Sequence, residues 1–165
     1  MENFVRPARR TDMQRICEIY NHYIVETPAT FELEPHVVDA WNQVFDEVIE
    51  PGKHLLLVAE SDGELVGFAK TSDFHERAGY ASSVQVSVFC DPASTGSGAG
   101  RALYGELLPM LEGRWHRVYG GIALPNPASI ALHERFGFER CAMYHEVGFK
   151  FDRYWDVAWY EKNLG

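Results

Sequence analysis

The sequence predicts a mixed α/β fold with an antiparallel hairpin in its first half. Strand-like and helix-like segments follow one another in the order β, α, α, β, β, β, α, β, α, β, β. Asp62-Gly63, between two apolar runs, is typical of a tight hairpin turn. The order lacks the regular strand–helix alternation of a doubly wound nucleotide-binding fold, which excludes that class.

The first half of the chain supplies a short strand and two helices. Phe4 to Arg6 is the strand candidate, and Thr11 and Gln14 have the capping-box spacing that predicts a helix start. One face of this helix carries Ile16, Ile19, Tyr20 and Tyr23. A second helix is expected over roughly 37–49, and its apolar side comprises Val37, Trp41, Val44, Phe45 and Val48.

Most of the predicted strands follow Pro51-Gly52. They cover 54–61, 64–74, 80–90, 118–123, 140–149 and 154–160. A helix carrying Leu103, Leu107 and Leu111 should be kinked or ended early by Pro109. Another helix is expected over 126–136, and Gly137 should stop it.

Length and composition are those of one globular domain over residues 1–165, because a domain has about 150 residues. Hydrophobic residues make up 46% and charged residues 24% of the chain, which excludes a disordered protein. The formal net charge of -9 repels phosphate backbones and anionic lipids, so we expect neither a nucleic-acid nor a membrane partner. An anionic ligand would therefore need a local binding device.

The cysteines indicate a reduced, cytoplasmic protein without a metal site. Cys17, Cys90 and Cys141 are odd in number and far apart, with no CxxC pair. The N-terminal segment lacks the apolar core of a signal peptide. The apolar run at 55–59 is too short to cross a bilayer.

A glycine-rich turn between a strand and a helix is the strongest local motif, and it reads Thr95-Gly96-Ser97-Gly98-Ala99-Gly100. Glycines allow consecutive N–H groups to point toward one spot, and the helix start adds its free N–H groups and dipole. The pattern therefore predicts an anion site made of backbone. The Walker and dinucleotide patterns both fail here, and a plain strand-to-helix connection is the alternative.

A second helix start carries polar side chains. Asn126 is a good N-cap, Ser129 lies in the first turn, and His133 follows two turns along on nearly the same side. Together with the glycine turn, this segment resembles the acetyl-CoA-binding core of the GNAT superfamily of N-acetyltransferases. Thr95-x-x-Gly98-x-Gly100 matches the pattern Gln/Arg-x-x-Gly-x-Gly/Ala except at its first position.

The resemblance extends to the phosphinothricin N-acetyltransferase subgroup and covers essentially the whole chain. It rests on the segments SVQVSVFCDP, GIALPNPASIALHERFGF and GFKFDRYWDVAWYEKNL. It implies a mixed, mostly antiparallel sheet of six to seven strands, splayed between two central parallel strands and flanked by about four helices. It also implies a homodimer.

By the same resemblance, acetyl-CoA is the cofactor and CoA its product. Its pyrophosphate would lie on the backbone of Thr95, Gly96, Ser97, Gly98, Ala99, Gly100 and Arg101. The pantetheine arm would pair with the strand at Ser87, Val88 and Phe89, with Asn126 and Ser129 on its other side. The thioester would lie in the gap where the sheet splays.

Transfer of acetyl to an amine requires a neutral amine, a donor for the oxyanion and an acid for the thiolate. The backbone N–H near Val88 is the candidate oxyanion donor, and His133 is the candidate acid or proton relay. The alternative for His133 is a core histidine packed beside Leu132 and Phe136.

Two positions depart from the subgroup. Gln85 stands where the subgroup has a glutamate taken as the base, and an amide cannot accept a proton at neutral pH. Either His133, Glu76 or His75 replaces it through water, or the amine arrives neutral, or activity is low. Thr95 stands in place of Gln or Arg, which leaves the backbone cradle intact.

The acceptor is expected to be a small amino-acid-like amine such as phosphinothricin or methionine sulfoximine. Candidate acceptor residues are Phe74, His75, Glu76, Arg77, Tyr80, Val84, Gln85 and Val86. Arg77 could pair with a carboxylate or phosphinate, or belong to a solvated charged loop. Lining aromatics could be Phe31, Tyr144, Phe149 and Tyr154, unless they are core. The rival functions are a weakly catalytic CoA-binding protein or ligand sensor, and a nucleotide-dependent enzyme.

Overall fold

The computed structural model describes residues 3–165. The strands are β1 (Phe4–Pro7), β2 (Leu56–Ser61), β3 (Glu64–Asp73), β4 (Ser83–Cys90), β5 (Arg117–Ala123), β6 (Glu139–Lys150) and β7 (Arg153–Asn163). The α-helices are α1 (Met13–Glu26), α2 (Val38–Val44), α3 (Ala99–Leu107) and α4 (Pro127–Arg135).

The strands form one mixed sheet in the order β1-β2-β3-β4-β5-β7-β6. β1 pairs antiparallel with β2 and β2 with β3, and β5, β7 and β6 are likewise antiparallel neighbours. β4 and β5 are parallel, in a register that pairs Ser83 with Arg117, Val84 with Val118 and Gln85 with Tyr119. The predicted mixed sheet with two central parallel strands and about four helices is confirmed.

The chain divides into two compact units. Among the described residues, the first unit comprises 3–21, 36–72 and 86–110, and the second comprises 22–35, 73–85 and 111–165. Residues 83–85 of β4 therefore belong to the second unit, and residues 86–90 belong to the first. The assignment of 1–165 to one domain stays a prediction.

Several turn signals act as the sequence predicts. Asp62 and Gly63 have φ angles of 53° and 82°, the left-handed pair that a tight two-residue hairpin requires. α3 ends at Leu107, before Pro109, and the chain continues as a short 3-10 turn to Leu111. Proline ends the helix because it lacks the amide donor and its ring crowds the preceding turn.

The predicted start of α1 is wrong in detail. The Asp12 carboxylate accepts a hydrogen bond from the amide N–H of Arg9 at 2.6 Å. Asp12 therefore supplies the hydrogen-bond acceptor at the start of the helix. Gln14 instead donates to Glu18 one turn along, at 2.9 Å. Thr11 and Gln14 therefore do not form the expected capping box.

The predicted apolar face of the second helix is right at Trp41 and wrong at Val37 and Val44. In α2 only Trp41 is buried, and it packs edge-on against Tyr20 at 5.4 Å and Phe68 at 5.6 Å. Val37 and Val44 are 69% and 41% exposed. The helix widens into a π-type turn over Phe45–Ile49, which takes later residues off the expected face.

In the second unit, a buried lysine fastens the 27–31 segment to β6. Lys150 Nζ donates to the carbonyl oxygens of Thr27 and Thr30, each at 2.8 Å. The Phe31 ring lies over Gly148, where a Cβ would come within 2.3 Å of it. This part of the chain is thus held to β6 by a charged donor and by ring contact.

Candidate functional site

The glycine turn adopts the backbone conformation that the sequence predicts. Gly96 and Gly98 have φ angles of 83° and 82°, which only glycine adopts without strain. Gly98 is the N-cap of α3, and the first amide to bond back into the helix is that of Ala102, at 3.0 Å from the Gly98 carbonyl oxygen. The N–H groups ahead of Ala102 therefore lack partners inside the helix.

Contacts within the first unit hold this turn in place. Asn3 donates from Nδ2 to the Ser97 carbonyl oxygen at 2.8 Å, and the Thr95 hydroxyl donates to the Pro92 carbonyl oxygen at 2.9 Å. The Ser97 amide donates to the carbonyl oxygen of Ser94, and the Gly100 amide faces the Cys90 thiol. Two of the seven predicted amide donors are thus already used within the protein.

The turn suits a phosphate group. From Thr95 to Arg101 it contains one basic and no acidic side chain, and it opens onto the N-terminus of a nine-residue helix. The Ser97 hydroxyl oxygen is buried and has no hydrogen-bond partner. An orphaned polar atom within this turn is consistent with a polar ligand completing the site.

β4 carries the residues predicted to pair with the cofactor arm. Val84 and Val86 are 0% and 2% exposed, whereas Ser87, Val88 and Phe89 are half-buried. Strand side chains alternate between faces, so Gln85, Ser87 and Phe89 share one face. The side chains of Val84 and Val86 lie in the core, and only their backbone could contact an acceptor.

The start of α4 is capped as predicted. The Asn126 side-chain oxygen accepts the amide of Ser129 at 3.1 Å, and Pro127 is the first helical residue. Asn126 thus already uses one acceptor atom within the helix. Ser129 is half-buried, and its carbonyl oxygen accepts the Nδ1–H of His133 at 2.8 Å.

His133 is a buried, neutral histidine. His133 is only 3% exposed. Its ring lies 5.0 Å from the Phe138 ring and 6.1 Å from the Tyr160 ring. Burial lowers the pKa of the imidazole, although the bond to Ser129 opposes this. Because Nδ1 donates to a carbonyl oxygen, Nε2 is the acceptor nitrogen.

The predicted catalytic residues Gln85 and His133 lie on opposite faces of the second unit's sheet. Gln85 pairs with Tyr119, so the two side chains share a face. The next residue, Gly120, faces the other way, and His133 lies directly over it. This arrangement therefore does not favour a direct proton transfer between Gln85 and His133.

The loop predicted to contact the acceptor covers the Gln85 face of the second unit. Phe74 stacks on Tyr119 at 4.4 Å and meets Trp159 edge-on at 6.0 Å. The His75 and Tyr80 rings are 4.8 Å apart. The structure thus brings Phe74, His75 and Tyr80 together, whereas Glu76 and Arg77 are exposed on the same loop.

Three residues of this face were not predicted from the sequence: Tyr119, Trp159 and Glu161. Tyr119 pairs with Gln85 on one side and with Glu161 on the other. Trp159 lies over Gly121, whose Cβ would be 3.1 Å from the indole. Strand alternation could have placed all three on one face, but only with the register between β4, β5 and β7 in hand.

Known proteins match this chain over nearly its whole length. The family model for the acetyltransferase (GNAT) domain matches residues 5–159. The chain belongs to the GNAT acetyltransferase family. The predicted class of enzyme, an acetyl-CoA-dependent N-acetyltransferase, is confirmed by this membership together with relatives that are named as N-acetyltransferases.

Three proteins illustrate what this GNAT acetyltransferase resembles. The phosphinothricin N-acetyltransferase of Streptomyces coelicolor is 42% identical over 97% of this chain and 95% of its own length. The L-methionine sulfoximine/L-methionine sulfone acetyltransferase of Salmonella typhimurium is 33% identical over 97% and 94%. A GNAT superfamily phosphinothricin acetyltransferase from Sinorhizobium meliloti, crystallised in complex with acetyl-CoA, has a TM-score of 0.92 and 31% identity over 100% of this chain and 90% of that one.

Residues 3–165 of the GNAT acetyltransferase contain neither a helix able to span a membrane nor a cluster of metal-binding side chains. No helix in that range is long and apolar enough to span a membrane. Within the same range, no three His, Cys, Asp or Glu side chains are grouped so that they could hold a metal ion.

Proposed function

We propose that this acetyltransferase transfers the acetyl group of acetyl-CoA to the primary amine of a small amino-acid-like acceptor of the phosphinothricin or methionine sulfoximine type. The observation that carries the proposal is the backbone anion turn at the start of α3 in a GNAT chain. Relatives named for those two acceptors are 42% and 33% identical to it. A small acceptor also agrees with the contacts of the Phe74 ring with Tyr119 and Trp159.

The cofactor residues divide by chemistry. The amides of the Thr95–Arg101 turn, apart from those of Ser97 and Gly100, are proposed to bind the pyrophosphate, with Arg101 adding charge. The arm is proposed to contact the backbone of Ser87, Val88 and Phe89, and the polar atoms of Asn126 and Ser129. Bound acetyl-CoA supplies the activated acetyl thioester.

The proposed catalytic roles follow from what each group can donate or accept. The backbone N–H near Val88 is proposed to stabilise negative charge on the reacting carbonyl oxygen. His133, neutral and accepting at Nε2, is better suited to relay a proton than to act as an acid. Gln85 is proposed to orient the amine or a water, because its amide donates and accepts hydrogen bonds but does not titrate.

Acceptor recognition is assigned to the loop that follows β3. Arg77 is exposed and can form a paired hydrogen bond with the acceptor's carboxylate or phosphinate. Phe74, His75 and Tyr80 give the loop its apolar wall, and Glu76 is available to the ammonium group. Replacing Arg77 with Gln should raise KM for an acidic acceptor far more than it lowers kcat.

A weakly catalytic CoA-binding protein or ligand sensor is the second candidate, and Gln85 favours it. Titration calorimetry with acetyl-CoA, run beside thiol release over a panel of amino acids and their phosphinate and sulfoximine analogues, separates the two. Turnover on a small amino acid analogue supports the enzyme. Tight acetyl-CoA binding without thiol release on any amine would support the sensor.

Gln85→Glu tests whether the missing carboxylate limits the reaction. A carboxylate at this position can accept a proton, so turnover should rise or its pH profile should move to lower pH. Gln85→Met is the matched control, because it keeps the length of the side chain and lacks any proton acceptor. Unchanged turnover and pH profile in Gln85→Glu would show that residue 85 does not control the proton.

A homodimer and a cytoplasmic location complete the proposal. The second unit exposes large apolar side chains, which suit a second copy of the chain: Phe31, Leu33, Tyr144, Val147, Phe149, Phe151 and Tyr154. Sedimentation velocity should give a dimer mass for the wild type and a monomer mass for Val147→Asp/Tyr154→Lys. The cytoplasmic location rests on the three free thiols.

A further inference from the structure

Three adjacent strands of the second unit align Gln85, Tyr119 and Glu161. β4 and β5 pair Gln85 with Tyr119, and β5 and β7 pair Tyr119 with Glu161. Residues in register on neighbouring strands project to the same face. Gln85 has no carboxylate of its own. The carboxylate of Glu161 lies two strands away on the same face, and the phenol of Tyr119 lies between them.

The carboxylate of Glu161 acts on the phenol of Tyr119, because its charge and its capacity to accept a hydrogen bond both raise the pKa of the hydroxyl. Glu161 Oε1 also lies 3.4 Å from the guanidinium of Arg117. The Glu161 side chain is 31% exposed, so water can remove a proton from it. A hydroxyl bonded to a carboxylate can take a proton on its oxygen while it passes its own proton on.

Several charged or titratable groups surround Tyr119. Glu161 and Arg117 face it from β7 and β5, the Cys141 thiol faces it from β6, and Glu139 pairs with Glu161. From the acceptor loop, the Phe74 ring covers the Tyr119 ring, with His75 and Tyr80 beyond it. Burial and the negative charge of Glu161 raise the pKa of Tyr119, so a lasting phenolate is disfavoured.

We propose that Tyr119 and Glu161 form the proton-accepting pair for the acceptor amine, in place of the carboxylate that Gln85 lacks. The inference rests on the proposed function. One N–H bond of the ammonium breaks and its proton binds the Tyr119 oxygen, while the Tyr119 O–H proton moves to a carboxylate oxygen of Glu161. The nitrogen keeps the electron pair with which it attacks the thioester carbonyl. Tyr119 is neutral before and after, and nothing is oxidised or reduced.

The test is the pH dependence of kcat/KM in Tyr119→Phe and Glu161→Gln, measured by thiol release with the best amino acid analogue. General-base assistance contributes about 10²–10⁴-fold, so each variant should lose on the order of 10²-fold at neutral pH. The loss should shrink toward alkaline pH, where the amine is already neutral. The double variant should lose no more than either single variant, because the two residues act in one path.

Rescue and control variants make the outcome decisive. Gln85→Glu should restore neutral-pH activity in the Tyr119→Phe background, because it supplies a carboxylate on the same face. Glu64→Gln, at the exposed start of β3, should keep the wild-type profile. Acetyl-CoA affinity, measured by calorimetry, should not change in Tyr119→Phe or Glu161→Gln.

Two results would overturn the inference while leaving the proposed function intact. One is a wild-type profile in both variants. The other is an equal loss of activity at every pH without rescue by Gln85→Glu, which marks a structural role. Failure of the proposed function looks different, because the wild-type protein would then release no thiol with any amine.

Discussion

The imidazole of His133 lies in the space that a side chain at Gly120 would need. An ideal Cβ on Gly120 would be 2.5 Å from Nε2 and 2.9 Å from Cδ2 of the ring. Carbon atoms do not approach so closely without displacing a neighbour. His133 thus reaches β5 only because residue 120 has no side chain.

Gly120→Ala should therefore destabilise the protein and displace His133. Overpacking a core position costs about 1–3 kcal/mol, measured as the free energy of unfolding in urea. Gly105→Ala is the matched control, since Gly105 lies within α3 and its Cβ would meet nothing within 4 Å. That control should gain roughly 0.5–1 kcal/mol. Equal stability of Gly120→Ala and wild type would contradict the close contact.

His133 should make stability depend on pH just below neutrality. Burial lowers its folded pKa beneath the ordinary value of 6.5, so the unfolded chain binds the proton first as pH falls. Stability is then fully present above pH 6.5 and declines as pH falls through 6.5 toward the folded pKa. His133→Gln should show a smaller loss between pH 7.5 and 5.5 in urea unfolding. An identical loss in both proteins would mean that His133 titrates alike in the folded and unfolded states.

Gly98→Ala should weaken CoA binding. Alanine at a φ angle of 82° costs about 1–2 kcal/mol, and the turn would relax away from its present conformation. Gly113→Ala carries the same backbone cost at φ 76°, outside the turn and with open space around its Cβ. Calorimetry with CoA should show about a tenfold or greater rise in Kd for Gly98→Ala only, since 1.4 kcal/mol is a factor of ten. Similar Kd values in both variants would argue against the backbone cradle.

Lys150→Met should loosen the 27–35 segment. Methionine keeps most of the stem but leaves the carbonyl oxygens of Thr27 and Thr30 without their donor, which costs about 1–3 kcal/mol. Lys162→Met, which removes one donor to the Phe136 carbonyl oxygen, should cost less. Limited proteolysis should cut the segment faster in Lys150→Met than in Lys162→Met. The reverse order would show that Lys150 does not hold it.

Local chemistry accounts for the parts of the fold that the sequence predicts well. The Asp62-Gly63 turn, the Asn126 cap and the end of α3 before Pro109 each depend on a few adjacent residues. The position of α2's apolar face and the burial of Val84 and Val86 depend on which distant elements pack against them. Periodicity alone cannot supply that information.

The candidate site likewise contains one part that depends on adjacent residues and another that depends on distant strands. The glycine turn was visible as a motif because its proposed function uses consecutive backbone groups. The alignment of Gln85, Tyr119 and Glu161 comes from strands separated by more than thirty residues, and it depends on register. A shift of one residue would move Tyr119 to the opposite face. No local pattern around Tyr119 or Glu161 reports that register.

Gly120 and Gly121 leave β5 bare on both faces at one point. The His133 imidazole lies over Gly120, and the Trp159 indole lies over the neighbouring Gly121. Close-packed interiors transmit small displacements instead of absorbing them. Movement of the aromatic groups on the acceptor side should therefore pass through the peptide backbone to the imidazole. His133, the proposed proton relay, would then respond mechanically to whatever molecule occupies the opposite face of the sheet.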